Sequence, residues 1–227
     1  MIHKILSILI LTFVSAGLYA QQQPIQVSYY YPKDIPKFQK EVSEFDYHID
    51  AENYGKTTMI IHCESRVGTF DFVFKKKILN KETYRDGKDS YTISEHNLYA
   101  FVYIHDHGGI LEKVKFQDFG NPVYTPEFDY PNCSISDENQ DGIPEFYLSY
   151  MGHSDGLDAK PYKQIIYTIP NPSAGKPLTK AKATAYYPAG NEEDIYYEER
   201  DSNWQLLPKS IQNKSNSILK KFALSNL

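Results

Sequence analysis

The sequence predicts a mainly β fold, a single antiparallel β domain, meander or sandwich-like, that ends in a C-terminal α-helix. Three observations carry this expectation. The chain is rich in aromatics, with 20 tyrosines and 12 phenylalanines, and many alternate with polar residues at the period of two that strands require. Pro- and Gly-rich turns divide these runs into short lengths. From Pro208 onward the period changes to that of an amphipathic helix.

The elements follow in chain order. Residues 1–20 carry the three parts of a secretory signal peptide: a basic start at Lys4, an apolar run from Ile5 to Val14, and a small-residue exit at Ala16, Gly17 and Ala20. Cleavage is expected near Ala20, because the apolar run falls well short of the roughly 20 residues that span a bilayer. The mature chain, residues 21–227, then holds 207 residues (227 minus 20), enough for one domain. No membrane-length apolar run follows residue 20.

Strands are expected near 26–31, 57–64, 110–117, 145–150 and 164–169, with a short helix within 34–46. The clearest strand sets Phe70, Phe72 and Phe74 on one face and Thr69, Asp71 and Val73 on the other. A second sets Leu98, Ala100, Val102 and Ile104 against Tyr99, Phe101 and Tyr103. Gly108 and Gly109 predict a hairpin turn after it. Residues 170–191, with four prolines and two glycines, read as a long surface loop. In the final helix, about 208–223, Ile211, Ile218, Leu219 and Phe222 share one face, while Lys214, Lys220 and Lys221 point elsewhere. An outer-membrane barrel also uses aromatic alternating strands, but the charged run Lys75–Lys77 and the polar-faced final helix fit it poorly.

The formal charge is −5 and becomes −6 once Lys4 is removed. A mildly acidic chain without a basic stripe gives nucleic acid and anionic lipid no electrostatic footing. In an oxidising compartment Cys63 and Cys133 could close a disulfide loop of 70 residues (133 minus 63). The alternative is that they pack as small apolar residues.

One motif carries chemistry. Asp137, Asn139, Asp141 and Glu145 place oxygen donors at loop positions 1, 3, 5 and 9, Gly142 sits at position 6, and Ile143 offers a backbone carbonyl at position 7. Calcium, a hard cation with six to eight oxygen ligands, suits this set. Leu148 stands where an EF-hand would place its glutamate, and Phe146, Leu148 and Tyr150 alternate as a strand, so the loop is not an EF-hand. The pattern resembles the Asp-x-Asn-x-Asp-Gly calcium loops of integrin-type propeller blades and dockerin-like modules. An ion there is expected to be structural rather than catalytic, because these ligands fill the shell. The competing reading is an Asx-rich turn that needs no metal.

Other candidates are weaker in kind. His105 and His107 could supply two nitrogens to a transition metal, with His62, His96 or His153 as a third ligand; turn-tip chemistry is the ordinary alternative. No Gly-x-Ser-x-Gly setting and no local cysteine-nucleophile signature occurs. With 29 acidic residues, a pair of carboxylates does not by itself point to acid and base catalysis. The acidic run Glu192–Asp194 reads as a solvated loop. Tyr99, Phe101 and Tyr103 either pack or form a platform for sugar rings.

With Leu98–Tyr103, the loop run Ile135–Glu145 and Asp158–Tyr167 assembled, the chain resembles a family of small exported proteins of Bacteroidota labelled surface polysaccharide biosynthesis protein. The resemblance spans about 98–167, and it departs from that family's pattern in lacking a cysteine shortly before Asp158. It implies an envelope role linked to surface glycan. The expectation is therefore an exported, periplasmic or extracellular binding or scaffolding protein, with surface glycan or an envelope protein as partner. A glycan-active enzyme and a periplasmic protein-binding inhibitor are the alternatives.

Overall fold

The structure is a computed structural model of the full chain and describes residues 24–42, 50–87, 89–154, 156, 158–170, 177–188 and 195–226. The signal segment 1–20 and the run Glu192–Asp194 lie outside the described residues.

Alternation dictates two meanders. Strands β1 (Gln26–Tyr30), β2 (Lys56–Ser65), β3 (Gly68–Asp86), β4 (Asp89–Asp106) and β5 (Gly109–Phe119) pair antiparallel in sequence order as the first sheet. Helices α1 (Ile35–Glu41) and α2 (Ala51–Tyr54) interrupt it after β1. The second sheet contains β6 (Tyr124–Phe128), β7 (Ser134–Ser136), β8 (Glu145–Ser154), β9 (Lys160–Thr168), β10 (Thr179–Tyr187) and β11 (Tyr197–Arg200). Its order is β11-β10-β9-β8-β6, and β7 pairs with the other end of β8. Helices α3 (Ser202–Gln205) and α4 (Lys209–Asn226) close the chain.

The inner faces of the two sheets share one core. Phe70, Phe72 and Phe74 of β3 meet Phe128 and Phe146 of the second sheet edge to face, with centroids 5.1–5.9 Å apart for Phe70–Phe146, Phe72–Phe146 and Phe74–Phe128. Such pairs contribute roughly 0.5–1.5 kcal/mol each beyond the area they bury. Cys63 and Cys133 sit in this core as unbridged thiols, so they take the packing role. Burial, with the nearby Glu64, pushes the Cys63 thiol up to about 12.

Both outer faces are covered as well, giving four layers. Ile35 and Phe38 of α1 pack on Ile60 and Val73 of the first sheet. On the second sheet, Trp204, Leu207, Ile211, Ile218 and Leu219 pack on Tyr147, Tyr162, Ile166 and Ala181–Tyr187. Trp204 is fixed from both ends, since its amide caps on Asp201 at 2.8 Å and its indole donates to Ser215 Oγ at 3.0 Å.

Several expectations are corrected. Within the stretch read as a surface loop, Thr179–Tyr187 is strand β10, inside the second sheet. Ala181, Ala183 and Ala185 alternate there under the helices; alanine has little strand propensity, so the pattern is nearly silent. The charged run Lys75–Lys77 lies inside a strand, since β3 continues to Asp86 and Lys76 reaches across to Glu127 at 2.6 Å. The helix 208–223 is present as α4, yet Lys214 turns inward to Ser136 Oγ at 2.7 Å and Glu138 at 2.9 Å, over the Tyr147 ring. Tyr99 and Phe101 are buried, with Tyr54 of α2 edge-on at 5.0 and 5.1 Å, so that face packs and offers no sugar platform. No helix among the described residues is long and apolar enough to cross a membrane.

Candidate functional site

The candidate loop joins β7 to β8, two strands that pair directly through Ser134–Ser136 and Glu145–Tyr147. The pairing holds both ends of the loop in place, and its side chains then organise the interior. Asp137 accepts from the amides of Asp141 at 2.9 Å and Gly142 at 2.8 Å. Asn139 Oδ1 accepts from the Asp141 amide at 3.3 Å, and its Nδ2 donates to Asp141 Oδ2 at 2.9 Å. Asp141 Oδ1 accepts from the Ile143 amide at 2.8 Å. Two residues take left-handed backbone, Gln140 (φ 59°) and Gly142 (φ 73°). At Gly142 the space is also closed, since a Cβ there would stand 2.8 Å from Arg66 Cδ. Arg66 in turn donates to the Asp141 carbonyl at 2.7 Å, tying the loop to the β2–β3 turn.

Glu145 is the buried member, only 3% exposed. It accepts from the Glu138 amide at 3.0 Å, which closes the loop base. Burial, together with the charges of Asp137 and Asp141, pushes its carboxyl up to about 8, and the Glu138 amide offsets only part of that. Glu138 goes the other way: burial raises it, but the Lys214 ammonium outweighs burial and holds it below the usual carboxylate range.

The amides thus orient Asp137, Asn139 and Asp141 within the loop, while Glu145 turns to the loop base, and Asp137, Asp141 and Glu145 do not each bring a carboxylate oxygen within 4.8 Å of the other two. A carboxylate has about four lone-pair sites, and Asp137 uses two of them on amides. The donor set of three carboxylates, one amide oxygen and the loop's carbonyls is hard and suits calcium. The same hydrogen bonds also describe a metal-free Asx turn.

The loop is one wall of a cavity of about 260 Å³. Asn139, Asp141, Ile143 and Glu145 line it on one side; Leu206, Leu207, Pro208 and Ile211, from the α3–α4 corner, line it on the other. Leu206 stands 81% exposed at this corner. Sequence reasoning placed the loop but missed the cavity, because the second wall lies some sixty residues further along the chain.

The histidines do not assemble as His105 with His107. His107 is at the turn tip, 97% exposed, beside Asp106. His105 instead turns to Asp71, with Nε2 2.6 Å from Oδ2, and His62 Nδ1 lies 2.7 Å from Asp71 Oδ1. His96 faces the Pro126 carbonyl at 2.7 Å and Glu127 at 3.3 Å, and His153 is exposed on β8. Asp71 is the residue the sequence did not single out. Its signal was present: a lone carboxylate between Phe70 and Phe72, on a strand face that also carries Val73.

No protein-family model matches the chain, and neither a curated protein nor a solved structure does.

Proposed function

We propose that the chain is an exported binding protein of the cell envelope, with a structural calcium ion in the Asp137–Glu145 loop and a surface glycan as its ligand. The observation that carries the reading is the shared wall, since the loop's oxygen donors also line the cavity beside the α3–α4 corner. An ion in the loop fixes that wall in place. Mixed apolar and hydrogen-bonding walls are what a small-ligand site requires, and they match the two kinds of surface on a sugar ring. The buried Glu145 supports the ion, because a divalent cation would neutralise the carboxylates that now push it up. The glycan and the envelope setting rest on the resemblance of residues 98–167 and on the signal-peptide pattern of residues 1–20.

The test is thermal unfolding with calcium and with a chelator, beside an Asp137→Ala, Asp141→Ala double variant. Calcium at one hundred times its dissociation constant stabilises by about 2.7 kcal/mol, which for a chain of this size raises Tm by roughly 5–10 °C. The rise is expected in the wild type and absent in the variant. Equal Tm with calcium and chelator in the wild type would reduce the loop to a turn. Glycan binding is then read from the fluorescence of the single tryptophan, Trp204, which adjoins the cavity residues Asn203 and Leu206.

A further inference from the structure

We propose that His62, Asp71 and His105 form a second metal site, distinct from the carboxylate loop, for a divalent first-row transition ion such as zinc. The three residues come from adjacent strands β2, β3 and β4, on the face of the first sheet turned away from the shared core. Register sets them there. Asp71 is the cross-strand partner of His62 and of Tyr103, and His105 follows Tyr103 by two residues, on the same face. One ligand atom from each residue lies within 4.8 Å of the other two, and no other trio of His, Cys, Asp or Glu among the described residues meets that condition.

The distances suit a site that closes on an ion. Donors bound to one zinc at about 2.0–2.2 Å stand roughly 3.3–3.6 Å apart in a tetrahedron. The imidazoles now approach different Asp71 oxygens, His62 Nδ1 at 2.7 Å from Oδ1 and His105 Nε2 at 2.6 Å from Oδ2, so an ion between the nitrogens takes the carboxylate through one oxygen or both once these contacts open by about 0.7 Å. Asp71 is fully buried, and a buried carboxylate needs either charge-assisted hydrogen bonds or a cation. Both states use the same imidazole nitrogens. On binding, a neutral imidazole moves its proton to the other ring nitrogen by exchange with water, and a protonated one releases it to solvent. Affinity consequently falls as pH falls.

Two further features fit a metal ligand set. His62 Nε2, the nitrogen away from Asp71, lies 3.8 Å from Glu64 Oε1, beyond hydrogen-bond distance, so Glu64 adds a nearby negative charge that favours a cation. Access is one-sided. Phe38 of α1 packs edge-on against His62 at 5.7 Å, while the His105 side chain is 25% exposed and leaves a route for the ion and a water ligand. Two imidazoles and one carboxylate favour zinc, copper, nickel or iron over calcium and magnesium, so the two sites take different ions.

The experiment titrates zinc into the purified chain in excess calcium, against a chromophoric chelator, and repeats the titration with cobalt(II) followed by NMR of the imidazole protons. One zinc per chain is expected, with at least a tenfold weaker site in His105→Ala and no change in His107→Ala. Cobalt is expected to shift the protons of His62 and His105. The proposal is overturned if the wild type competes for no zinc, if His105→Ala binds as tightly as the wild type, or if cobalt shifts only His107 or His153. The cobalt measurement needs no variant, so it stands even where a substitution perturbs folding.

Discussion

Glu145 gives the sharpest quantitative prediction, because its burial turns into a slope of stability against pH. Its carboxyl rises from the ordinary 4.5 to about 8 in the folded chain. A group whose folded value is raised contributes stability that is fully present below the unfolded value and is lost as pH rises through the folded one. Between about pH 4.5 and pH 8 the native state therefore holds a proton that the unfolded state releases, and stability falls by about 1.4 kcal/mol per pH unit. Across the whole window the loss is about 5 kcal/mol. Glu145→Gln keeps the size and an oxygen to accept from the Glu138 amide, but it cannot ionise. Urea unfolding from pH 5 to pH 8.5, with a chelator present, is the assay. The stability difference between Glu145→Gln and wild type is expected to grow in favour of the variant by about 1 kcal/mol or more per pH unit and to level off above pH 8. Calcium is expected to cancel the slope in the wild type, since a bound cation favours the ionised carboxylate, and to have a reduced effect on the variant. Parallel pH profiles for the two proteins in chelator would refute the reasoning.

Two further outcomes test the frame around the site. Lys214→Met removes the bonds to Ser136 and Glu138 and is expected to cost about 1–2 kcal/mol by urea unfolding; because Glu138 is held low by Lys214, its share of stability is present above its unfolded value and lost on acidification, so the variant should lose less stability than the wild type below about pH 4.5. Gly55→Ala places a Cβ 2.2 Å from the Lys76 carbonyl oxygen at a φ of +76°, and a loss of about 2–4 kcal/mol is expected; unchanged stability would show that the α2–β2 corner shifts freely.

The legible parts of the fold were those in which one face of a strand is strongly apolar. Phe70, Phe72 and Phe74, and Ala100 and Val102 opposite them, announce their faces, and the His107–Gly108 turn follows from glycine beside them, with both residues at positive φ. What stayed hidden has one cause. Helices cover the outer faces of both sheets, so residues that alternation assigns to solvent are buried: Asp71, His62, Gln164 and Ser149. A period-two pattern reports that two faces differ, not that one is wet.

The same covering explains where the histidine cluster is. A polar group under a helix layer must find partners, and at Asp71 those partners are two imidazoles from neighbouring strands. The carboxylate loop was legible as a string because its spacing is local, from Asp137 to Glu145. The histidine site was not, because its members are separated by 9 and 34 residues and meet only through strand register. Local spacing therefore found the oxygen-rich loop, and only the pairing of β2, β3 and β4 could find the nitrogen-rich site. Their donor chemistry differs for the same reason: a tight turn favours short Asp and Asn side chains that bond to nearby amides, whereas a flat sheet face brings together longer side chains from separate strands, where imidazoles can converge on a single buried carboxylate.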